Sequence, residues 1–283
     1  MSLIRWREES ELGAWTQLDW RPTALAGLVE SISFFDGKLT RRRQRYYPTG
    51  ELDLIVQLDG PTNPFRIVEG QPAAVLPPSS LAGQIVAPVV LEAPEVRSRV
   101  IDVRLRPAGA FALFGLPLGM LTGTSVELGE VIGSEARRLA ERLDAAASDE
   151  ARVQLVQRWI TDRLARHPGI EPSVAYAVSE IERAGGKEPI ANILARTGAS
   201  PTRFPTLFEE QVGVKPKLFS RIVRFRGLVA TLRAGHASFS QIALAHGYYD
   251  QAHMNAEFRE FAGMSPSQFL AASPIPESVS LFD

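Results

Sequence analysis

Two short segments near the carboxyl terminus carry side chains of the kinds that read base pairs in DNA. Six such residues lie outside the apolar stripe of a predicted helix: Thr202, Arg203 and Thr206 in the first segment, and Gln251, Ala252 and Asn255 in the second. Arginine pairs with guanine through two hydrogen bonds, glutamine and asparagine pair with adenine, and an alanine methyl contacts the thymine methyl. The two segments therefore predict base contacts, although ordinary solvent-exposed helix positions would show the same residue types.

A basic stretch between these segments suits the phosphate backbone. From Gln211 to Tyr249 the chain has 6 Lys and Arg residues and no Asp or Glu, although the net charge of the whole chain is −1. Four of these bases are predicted to contact phosphates: Lys215, Lys217, Arg221 and Arg224. Phosphate contacts fix affinity and orientation without carrying sequence information.

The elements that must position these side chains are visible as an internal repeat. Four residues recur fifty positions later: Phe208, Gly213, Pro216 and Phe219 return as Phe258, Gly263, Pro266 and Phe269. A period of this size indicates two copies of one supersecondary unit. Each copy has the order of a short helix, a turn, a second helix, a glycine stop and a new helix opened by proline. That order predicts two helix-turn-helix units, each of which can lay its second helix in a DNA groove.

Helix ends can be placed from proline and capping residues. Pro205 is tolerated only in the first turn of a helix, so the second helix of the first unit is predicted to start near Thr202. A connecting helix is predicted from Pro216 to about Arg233. In the second unit, the helix starts are predicted from two capping boxes and one acidic cap: Ser238 with Gln241, Ser265 with Gln268, and Asp250. The chain past Ala272 is predicted to be a loose tail.

The first part of the chain has the alternating pattern of strands. Apolar residues occupy every second position in 52–58 and 101–105, and Pro and Gly interrupt the shorter apolar runs between them. The fold class is therefore predicted to be α+β: a small β barrel or sandwich, a short helical region and an all-α domain with two helix-turn-helix units. The predicted boundaries are 1–132 for the β-rich sensor or dimerisation domain, 133–171 for the helical connector and linker, and 172–275 for the DNA-binding domain. The helices before the linker either form a subunit contact or pack on the β domain.

Basic and aromatic residues of the β-rich part are candidates for an effector pocket. The candidate residues are Arg45, Tyr47, Asp53, Arg104 and Arg106. Such a set suits an anionic or aromatic ligand, and it equally fits a solvated loop with solvent-facing strand positions.

Composition argues against several classes of protein. The chain has no cysteine, which excludes disulfides, thiolate nucleophiles and zinc fingers. All 4 histidines follow residue 166, so a metal enzyme with a histidine-lined barrel is not expected. We predict no catalytic site, no metal and no cofactor. The absence of an apolar run near 18 residues and of an export signal predicts a cytoplasmic protein that does not enter a membrane.

Residues 242–253, followed by 257–269, resemble the signature of the AraC/XylS family of bacterial transcription regulators. The resemblance implies two helix-turn-helix units joined by one helix, which read successive major grooves on one face of the duplex. Residues 101–110 also resemble a β-rich domain of some members, for which no ligand is assigned. The family usually has Arg two residues before the inward Phe of each recognition helix, whereas this chain has Thr206 and Ala256. Met254 stands where Phe is common.

The sequence thus predicts a sequence-specific DNA-binding transcription regulator, with double-stranded DNA as its main partner. A small-molecule effector, RNA polymerase and a second copy of the chain in a homodimer are the further expected partners. The alternative is a protein-interaction module that keeps the fold and binds DNA weakly, because the two arginines are missing at 206 and 256.

Overall fold

The structure is a computed structural model that describes residues 2–40, 42–58, 65–68, 71–166, 169–235, 238–272 and 279–282. Within these residues the chain has the predicted α+β class: two antiparallel sheets, a helical layer and an all-α C-terminal part. No helix in these ranges is long and apolar enough to cross a membrane.

The β-rich part forms two sheets. The strands are β1 (Ser2–Ser10), β2 (Gly13–Arg21), β3 (Val29–Leu39), β4 (Arg43–Tyr46), β5 (Leu52–Gln57), β6 (Phe65–Val68), β7 (Gln71–Val75), β8 (Ser79–Ala82), β9 (Val89–Glu92), β10 (Ser98–Leu105), β11 (Ser125–Glu127) and β12 (Val279–Phe282). The larger sheet has the order β1-β2-β3-β10-β5-β8-β11, and the smaller one has the order β12-β4-β9-β6-β7. β12 pairs with β4, so residues 279–282 are not the loose tail that the sequence predicts; residues 273–278 lie outside the described residues.

Alternation gives the larger sheet two unlike faces. In β5 and β10 the apolar residues Leu52, Leu54, Ile101 and Val103 are buried on one face, as predicted. Because successive side chains of a strand point to opposite faces, the polar residues between them lie on the other face. The apolar face is covered by helices, so it forms a core of its own.

Four helices cover that core: α1 (Pro107–Phe114), α2 (Leu128–Ile132), α3 (Ser134–Asp144) and α4 (Asp149–Leu164). The side chain of Ser148 accepts a hydrogen bond from the Ala151 amide and so caps α4. Trp159 and Ile160 are buried in the same core as the sheet residues. The helices therefore pack on the β domain, which was one of the two predicted arrangements.

The C-terminal part consists of α5 (Pro172–Arg183), α6 (Ile190–Thr197), α7 (Phe204–Val212), α8 (Pro216–Ala234), α9 (Phe239–Ala245), α10 (Gln251–Ala262) and α11 (Pro266–Ala271). We call α6 and α7 unit 1, and α9 and α10 unit 2. The helix α8 joins them, as predicted. α7 begins two residues later than expected, since Thr202 and Arg203 form a turn in which the Phe204 amide already donates to the Ser200 carbonyl at 2.9 Å.

Each unit has its own buried cluster of aromatic and aliphatic side chains. Phe204 and Phe208 of α7 pack with Phe219 of α8 in unit 1. In unit 2, Phe258 and Phe261 of α10 surround Phe225, at ring-centroid distances of 5.2 and 5.3 Å. Both recognition helices end at glycines with left-handed backbone, Gly213 and Gly263. The repeat in the sequence is therefore a repeat in the fold.

Candidate DNA-binding surface and domain interface

The first recognition helix presents its predicted base contacts to solvent. Thr202, Arg203 and Thr206 are all exposed at the amino-terminal end of α7. Phe204 and Phe208 fix this end, since both are buried and their ring centroids lie 5.7 Å apart. The helix has no side-chain cap, because Arg203 occupies the N-cap position with helical backbone angles. Packing alone therefore positions these three side chains.

The second recognition helix has a cap and a partly covered set of predicted contacts. The Asp250 carboxylate accepts a hydrogen bond from the His253 amide at 2.7 Å. Ala252 is exposed, whereas Gln251 and Asn255 are half-buried. Gln251 accepts a hydrogen bond from the Ser240 hydroxyl of α9 at 3.0 Å, so its amide group is already oriented by the first helix of the unit.

The four predicted phosphate contacts fall into two classes. Lys215 and Lys217 are exposed at the start of α8. Arg221 and Arg224 instead point to Glu257 of α10, which Arg221 approaches to 2.8 Å and Arg224 to 3.0 Å. The base contacts and phosphate contacts remain predictions, but only the lysines are free of a close carboxylate among the described ion pairs.

The carboxylate of Glu257 is a structural element that the sequence reasoning missed. It is buried, with 4 % of its side chain exposed. Besides Arg221 and Arg224 it accepts a hydrogen bond from the Tyr248 hydroxyl at 2.9 Å. Burial and the Glu257 charge raise the pKa of Tyr248, so this hydroxyl stays a donor. The signal in the sequence is an acid next to the inward Phe258, where unit 1 has the apolar Leu207.

Comparison with protein-family models now assigns this region. A model described as a helix-turn-helix domain matches residues 193–272, which contain both units. The C-terminal domain is an AraC-type DNA-binding domain. This confirms the predicted resemblance of the C-terminal part to the DNA-binding domain of AraC-type transcription regulators. A second model, described as a domain of unknown function, matches residues 22–127.

Several solved structures resemble the whole chain or its last part. ToxT from Vibrio cholerae is 12 % identical and covers 81 % of this chain and 96 % of its own, with a TM-score of 0.44. ToxT bound to an unsaturated fatty acid is 11 % identical and covers 89 % and 96 %, with a TM-score of 0.45. The C-terminal domain of AraT, a response regulator from Geobacillus stearothermophilus, is 19 % identical and covers 38 % and 91 %, with a TM-score of 0.35. No curated protein matches the sequence.

One loop of the N-terminal domain touches both units of this AraC-type domain. The loop joins β8 to β9 and spans residues 83–88. Its Gln84 amide donates to the Val212 carbonyl at the end of α7, at 2.7 Å, and the contact is buried. At the other end of the loop, the ring of Pro88 lies 3.2 Å from the position that a Cβ of Gly263 would take. Val86 packs against the cores of both units.

A second loop, residues 47–51, packs along α8. Tyr47 is buried in the core of unit 2, with its ring centroid 5.3 Å from that of Phe269. Gly50 has a left-handed backbone with φ of 82°, and a Cβ there would lie 3.1 Å from the Phe219 ring. Arg226 of α8 donates to the Thr49 carbonyl at 3.2 Å. The two loops together hold the helix that joins the units.

The predicted effector-pocket residues do not form one group. Arg45 approaches the Met264 sulfur at 3.9 Å and Tyr47 packs into the buried cluster of unit 2, so both face the DNA-binding domain. Arg106 binds Glu30 and lies 3.8 Å from Glu182 of α5. These three residues therefore lie at or near the domain interface.

Asp53 and Arg104 do come together, on the polar face of the larger sheet. The Arg104 Nε lies 3.3 Å from Asp53 and 3.6 Å from Glu51. Tyr46 of the smaller sheet lies close enough to Asp102 and Asp53 that burial and their charges raise its pKa. Sequence reasoning missed Tyr46, Glu51 and Asp102, because it paired strand positions without knowing that the second sheet covers them.

Glu51 connects this polar cluster to the DNA-binding domain. Only 9 % of its side chain is exposed, and it binds Arg104 of β10 on one side and Arg226 of α8 on the other, the latter at 3.3 Å. Burial raises the pKa of Glu51, and the two arginines oppose that effect. A single carboxylate therefore bridges β10 and α8.

Proposed function

We propose that the protein binds operator DNA with both helix-turn-helix units and that a small-molecule effector in the N-terminal domain changes this binding. One observation carries the proposal. The single helix α8 joins the two units, and the starts of both recognition helices face solvent. The proposal includes base contacts from both recognition helices: Thr202, Arg203 and Thr206 in the first, and Gln251, Ala252 and Asn255 in the second. It also includes phosphate contacts from Lys215 and Lys217.

Arg221 and Arg224 have a different place in this proposal. Their guanidinium groups bind Glu257, so phosphate contact would require them to divide their donors between a carboxylate and DNA. An arginine has five N–H donors, which makes such sharing compatible with its geometry. We expect the two lysines to contribute more to DNA affinity than the two arginines.

The route from effector to DNA in this proposal is the contact at Glu51. A ligand changes DNA binding only if it binds one arrangement of the domains better than another. A ligand that draws Arg104 towards itself weakens the Arg104–Glu51 contact, and Glu51 then interacts more strongly with Arg226. Because Arg226 lies on α8, which joins the two units, the change in its contact with Glu51 alters the orientation of the units.

The proposal extends to the cellular setting. We propose a cytoplasmic homodimer that acts with RNA polymerase at promoters, and we keep the division into 1–132, 133–171 and 172–275. The helices α3 and α4 leave an outer surface for a second copy, since only one face of each packs on the sheet.

Selection of bound sequences from random duplexes, followed by fluorescence anisotropy, tests the function. We expect saturable binding to a selected duplex, and an affinity that falls steeply with salt because phosphate contacts release counterions. Replacement of Lys215 or Lys217 by Ala should weaken binding to all duplexes and lower the slope of log affinity against log salt by about 1 for each lost contact. Arg97→Ala, an exposed base on the N-terminal domain, is the matched control. Binding to no duplex at any salt would favour the interaction-module alternative.

A further inference from the structure

A cleft of about 560 Å³ lies between the loop that leads into unit 1 and the helix that opens unit 2. Its lining comes from the end of α5, from the loop 184–189 that follows α5, from Gly227 in the middle of α8 and from the end of α9. The volume lies within the range of small-molecule sites in proteins, which is roughly 300 to 1,000 Å³. None of the residues predicted to contact bases or phosphates lines it. The cleft is therefore a candidate site for a ligand other than DNA.

Lys187 is the charged residue of this cleft that has no opposite charge close to it among the described residues. Its ammonium group lies 3.4 Å from the Ala245 carbonyl, and its stem passes 3.0 Å from the position that a Cβ of Gly247 would take. Three other charged side chains line the cleft, and each has an opposite charge from outside it: Arg183 has Glu180 at 2.9 Å, Glu188 has Arg196 at 2.7 Å, and Glu182 has Arg226 at 3.7 Å. The exposed ammonium group of Lys187 is thus available to an anion in the cleft.

His246 supplies a second polar group, beside Gly227. The Thr231 hydroxyl has one hydrogen, which it donates to the Gly227 carbonyl at 3.1 Å. The hydroxyl therefore accepts from His246 Nε2, which lies 2.8 Å away and carries the proton of the neutral ring. Nδ1 is left as a bare acceptor to which no described residue donates, 3.5 Å from the position that a Cβ of Gly227 would take. Burial, followed by the charge of Lys187, lowers the pKa of His246, so the ring is neutral near pH 7.

An ammonium group and a bare imidazole nitrogen in one cleft suit a single negative charge. The ammonium group donates to an anion directly, and the imidazole does so after it takes up a proton from solvent, so both hydrogen bonds are charge-assisted. A second negative charge is disfavoured, because Glu182 and Glu188 also line the cleft. The rest of the lining includes Ala184, Ala245 and Gly227, which offer apolar surface to a short hydrocarbon body.

We propose that the cleft binds a small monocarboxylate, with Lys187 Nζ and the protonated Nδ1 of His246 donating to its oxygens. The inference goes beyond the proposed function, because this site is separate from the effector of the N-terminal domain. Lys187 lies in the loop before unit 1, and His246 follows the first helix of unit 2. The carboxylate therefore connects the segments that lead into the two units.

Benzoate, benzamide and inorganic phosphate are the probes, with the full-length protein and without DNA. Benzamide has the shape of benzoate without its charge, and phosphate is mostly a dianion above neutral pH. Proton NMR follows the Cε1–H resonances of the 4 histidines, and His246→Gln shows which of them belongs to His246. We expect benzoate to shift this resonance saturably and benzamide to bind at least about ten times more weakly, since the charge-assisted hydrogen bonds are lost. Equal binding of benzoate and benzamide, tighter binding of phosphate, or no binding of benzoate would each overturn the proposal.

The proton that His246 takes up gives a second readout. Saturating benzoate should raise the pH midpoint of the His246 resonance by about one unit, which corresponds to about tenfold tighter binding to the imidazolium ion. The affinity should accordingly rise as the pH falls from about 8 towards 6. The charged groups that face this ring are Lys187 and the three other charged residues of α5 and the loop, since α9 has none and α8 presents Gly227 and Thr231 here. An unchanged midpoint would place the carboxylate away from His246 and contradict the proposal.

Two variants locate the site. Lys187→Met keeps the length of the side chain without its charge and should lower benzoate affinity by about tenfold or more, whereas Lys38→Met, at an exposed position of β3, should leave it unchanged. Gly227→Ala changes no charge, but its methyl group lies 3.4 Å from His246 Cε1 and occupies space that the ligand needs, so a similar loss is expected. Alanine is more favourable than glycine inside a helix, so α8 should keep its fold, which circular dichroism and a melting curve check. Wild-type affinity in Lys187→Met or in Gly227→Ala would refute the site.

DNA is the other source of anions for Lys187, and fluorescence anisotropy with a selected duplex separates the two. Loss of benzoate binding in Lys187→Met with unchanged DNA affinity supports the carboxylate site. If benzoate does not bind and Lys187→Met weakens binding to every duplex, the lysine contacts a DNA phosphate, and the inference is overturned while the proposed function stands.

Discussion

Units 1 and 2 share one fold, but different interactions hold them in place. In unit 2 the helix starts are capped by Ser238 and Asp250, and the recognition helix is tied to α8 by the buried Glu257. In unit 1 neither helix has a side-chain cap. Its recognition helix instead packs on α1 and on the turn Leu118–Leu121 of the N-terminal domain. Unit 2 therefore has helix caps and a buried ion cluster of its own, whereas unit 1 has neither a side-chain cap nor such a cluster and its recognition helix also packs on the neighbouring domain.

This difference teaches where an effector signal can act. A unit held by its own caps and ion pairs keeps its shape when the interface moves. A unit whose helix end is bound by Gln84 and by the Thr122 hydroxyl, which donates to the Gly213 carbonyl, changes with that interface. The variants below test the contrast, beginning with the largest effect.

Glu257→Gln should give the largest loss, and the loss should be confined to unit 2. Removing one partner of a buried ion cluster leaves uncompensated charge and typically costs about 3 kcal/mol or more, here at Arg221 and Arg224. Urea unfolding gives the change in the free energy of unfolding, and hydrogen exchange of α10 shows where it falls. Glu260→Gln is the matched control, since Glu260 also binds Arg221 but is exposed and should cost under about 0.5 kcal/mol. Equal losses in the two variants would contradict the role of Glu257.

Gln84→Ala should affect unit 1 more than unit 2. The substitution leaves the buried Val212 carbonyl without its donor, which costs about 1 to 3 kcal/mol. Faster amide exchange in α7 than in α10 is the expected result. Gln154→Ala, at an exposed position of α4, is the control. If α10 were affected as much as α7, the loop would stabilise both units alike and the contrast would be lost.

Asp250→Ala should reduce the stability of unit 2 by about 1 kcal/mol, because the His253 amide loses its acceptor at the start of α10. The corresponding residue of unit 1 is Ser200, whose side chain caps no helix, so Ser200→Ala should have no comparable effect. Circular dichroism during thermal unfolding measures both variants. A loss in Ser200→Ala as large as in Asp250→Ala would show that unit 1 has a cap of its own.

Mild acid should have the smallest effect, again in unit 2. Burial, and then the charge of Lys187, lower the pKa of His246, whose ring lies 2.8 Å from the Thr231 hydroxyl. The unfolded state then binds the proton more readily, so the stabilisation is present above a pH of about 6.5 and is lost as the pH falls below it. Unit 1 has Arg196 at the corresponding position, which does not titrate there. Amide exchange of α9 against α6 at several pH values measures the difference, and His246→Gln should remove it.

The sequence predicted the elements whose signals are local. The apolar stripes located both recognition helices, and Pro216 marked the start of α8. Ser238 and Asp250 marked the starts of α9 and α10, because a cap depends on residues three positions apart. The start of α7 was predicted near Thr202 from Pro205, which is two residues too early. The chain before Phe204 forms a turn that no residue type in the sequence indicates.

Contacts between distant segments were beyond prediction from the sequence. Asp53 and Arg104 were predicted as polar strand residues, but their contacts with Glu51 and Asp102 depend on the strand register. The position of Tyr46 near them depends on how the smaller sheet packs on the larger one. Arg221 and Arg224 were predicted to contact phosphates from the basic stretch around them. Their partner Glu257 lies more than thirty residues away in the chain, so the local sequence does not indicate it. Arg45 and Tyr47 were placed in a pocket because nothing in their own segment indicates that it packs on the DNA-binding domain.

The loop 83–88 has a consequence for the operator itself. Gly213 and Gly263, which end the two recognition helices, both abut this loop, at Gln84 and at Pro88. The separation of the two helices is therefore fixed by six residues of another domain as well as by α8. One base pair inserted between two half-sites shifts the second by about 3.4 Å and rotates it by about 36°, given roughly ten base pairs per helical turn. To follow that shift the protein would have to release one of the two glycine contacts. In the proposed mode of DNA binding, the N-terminal domain thus limits the length of DNA that the two units contact together.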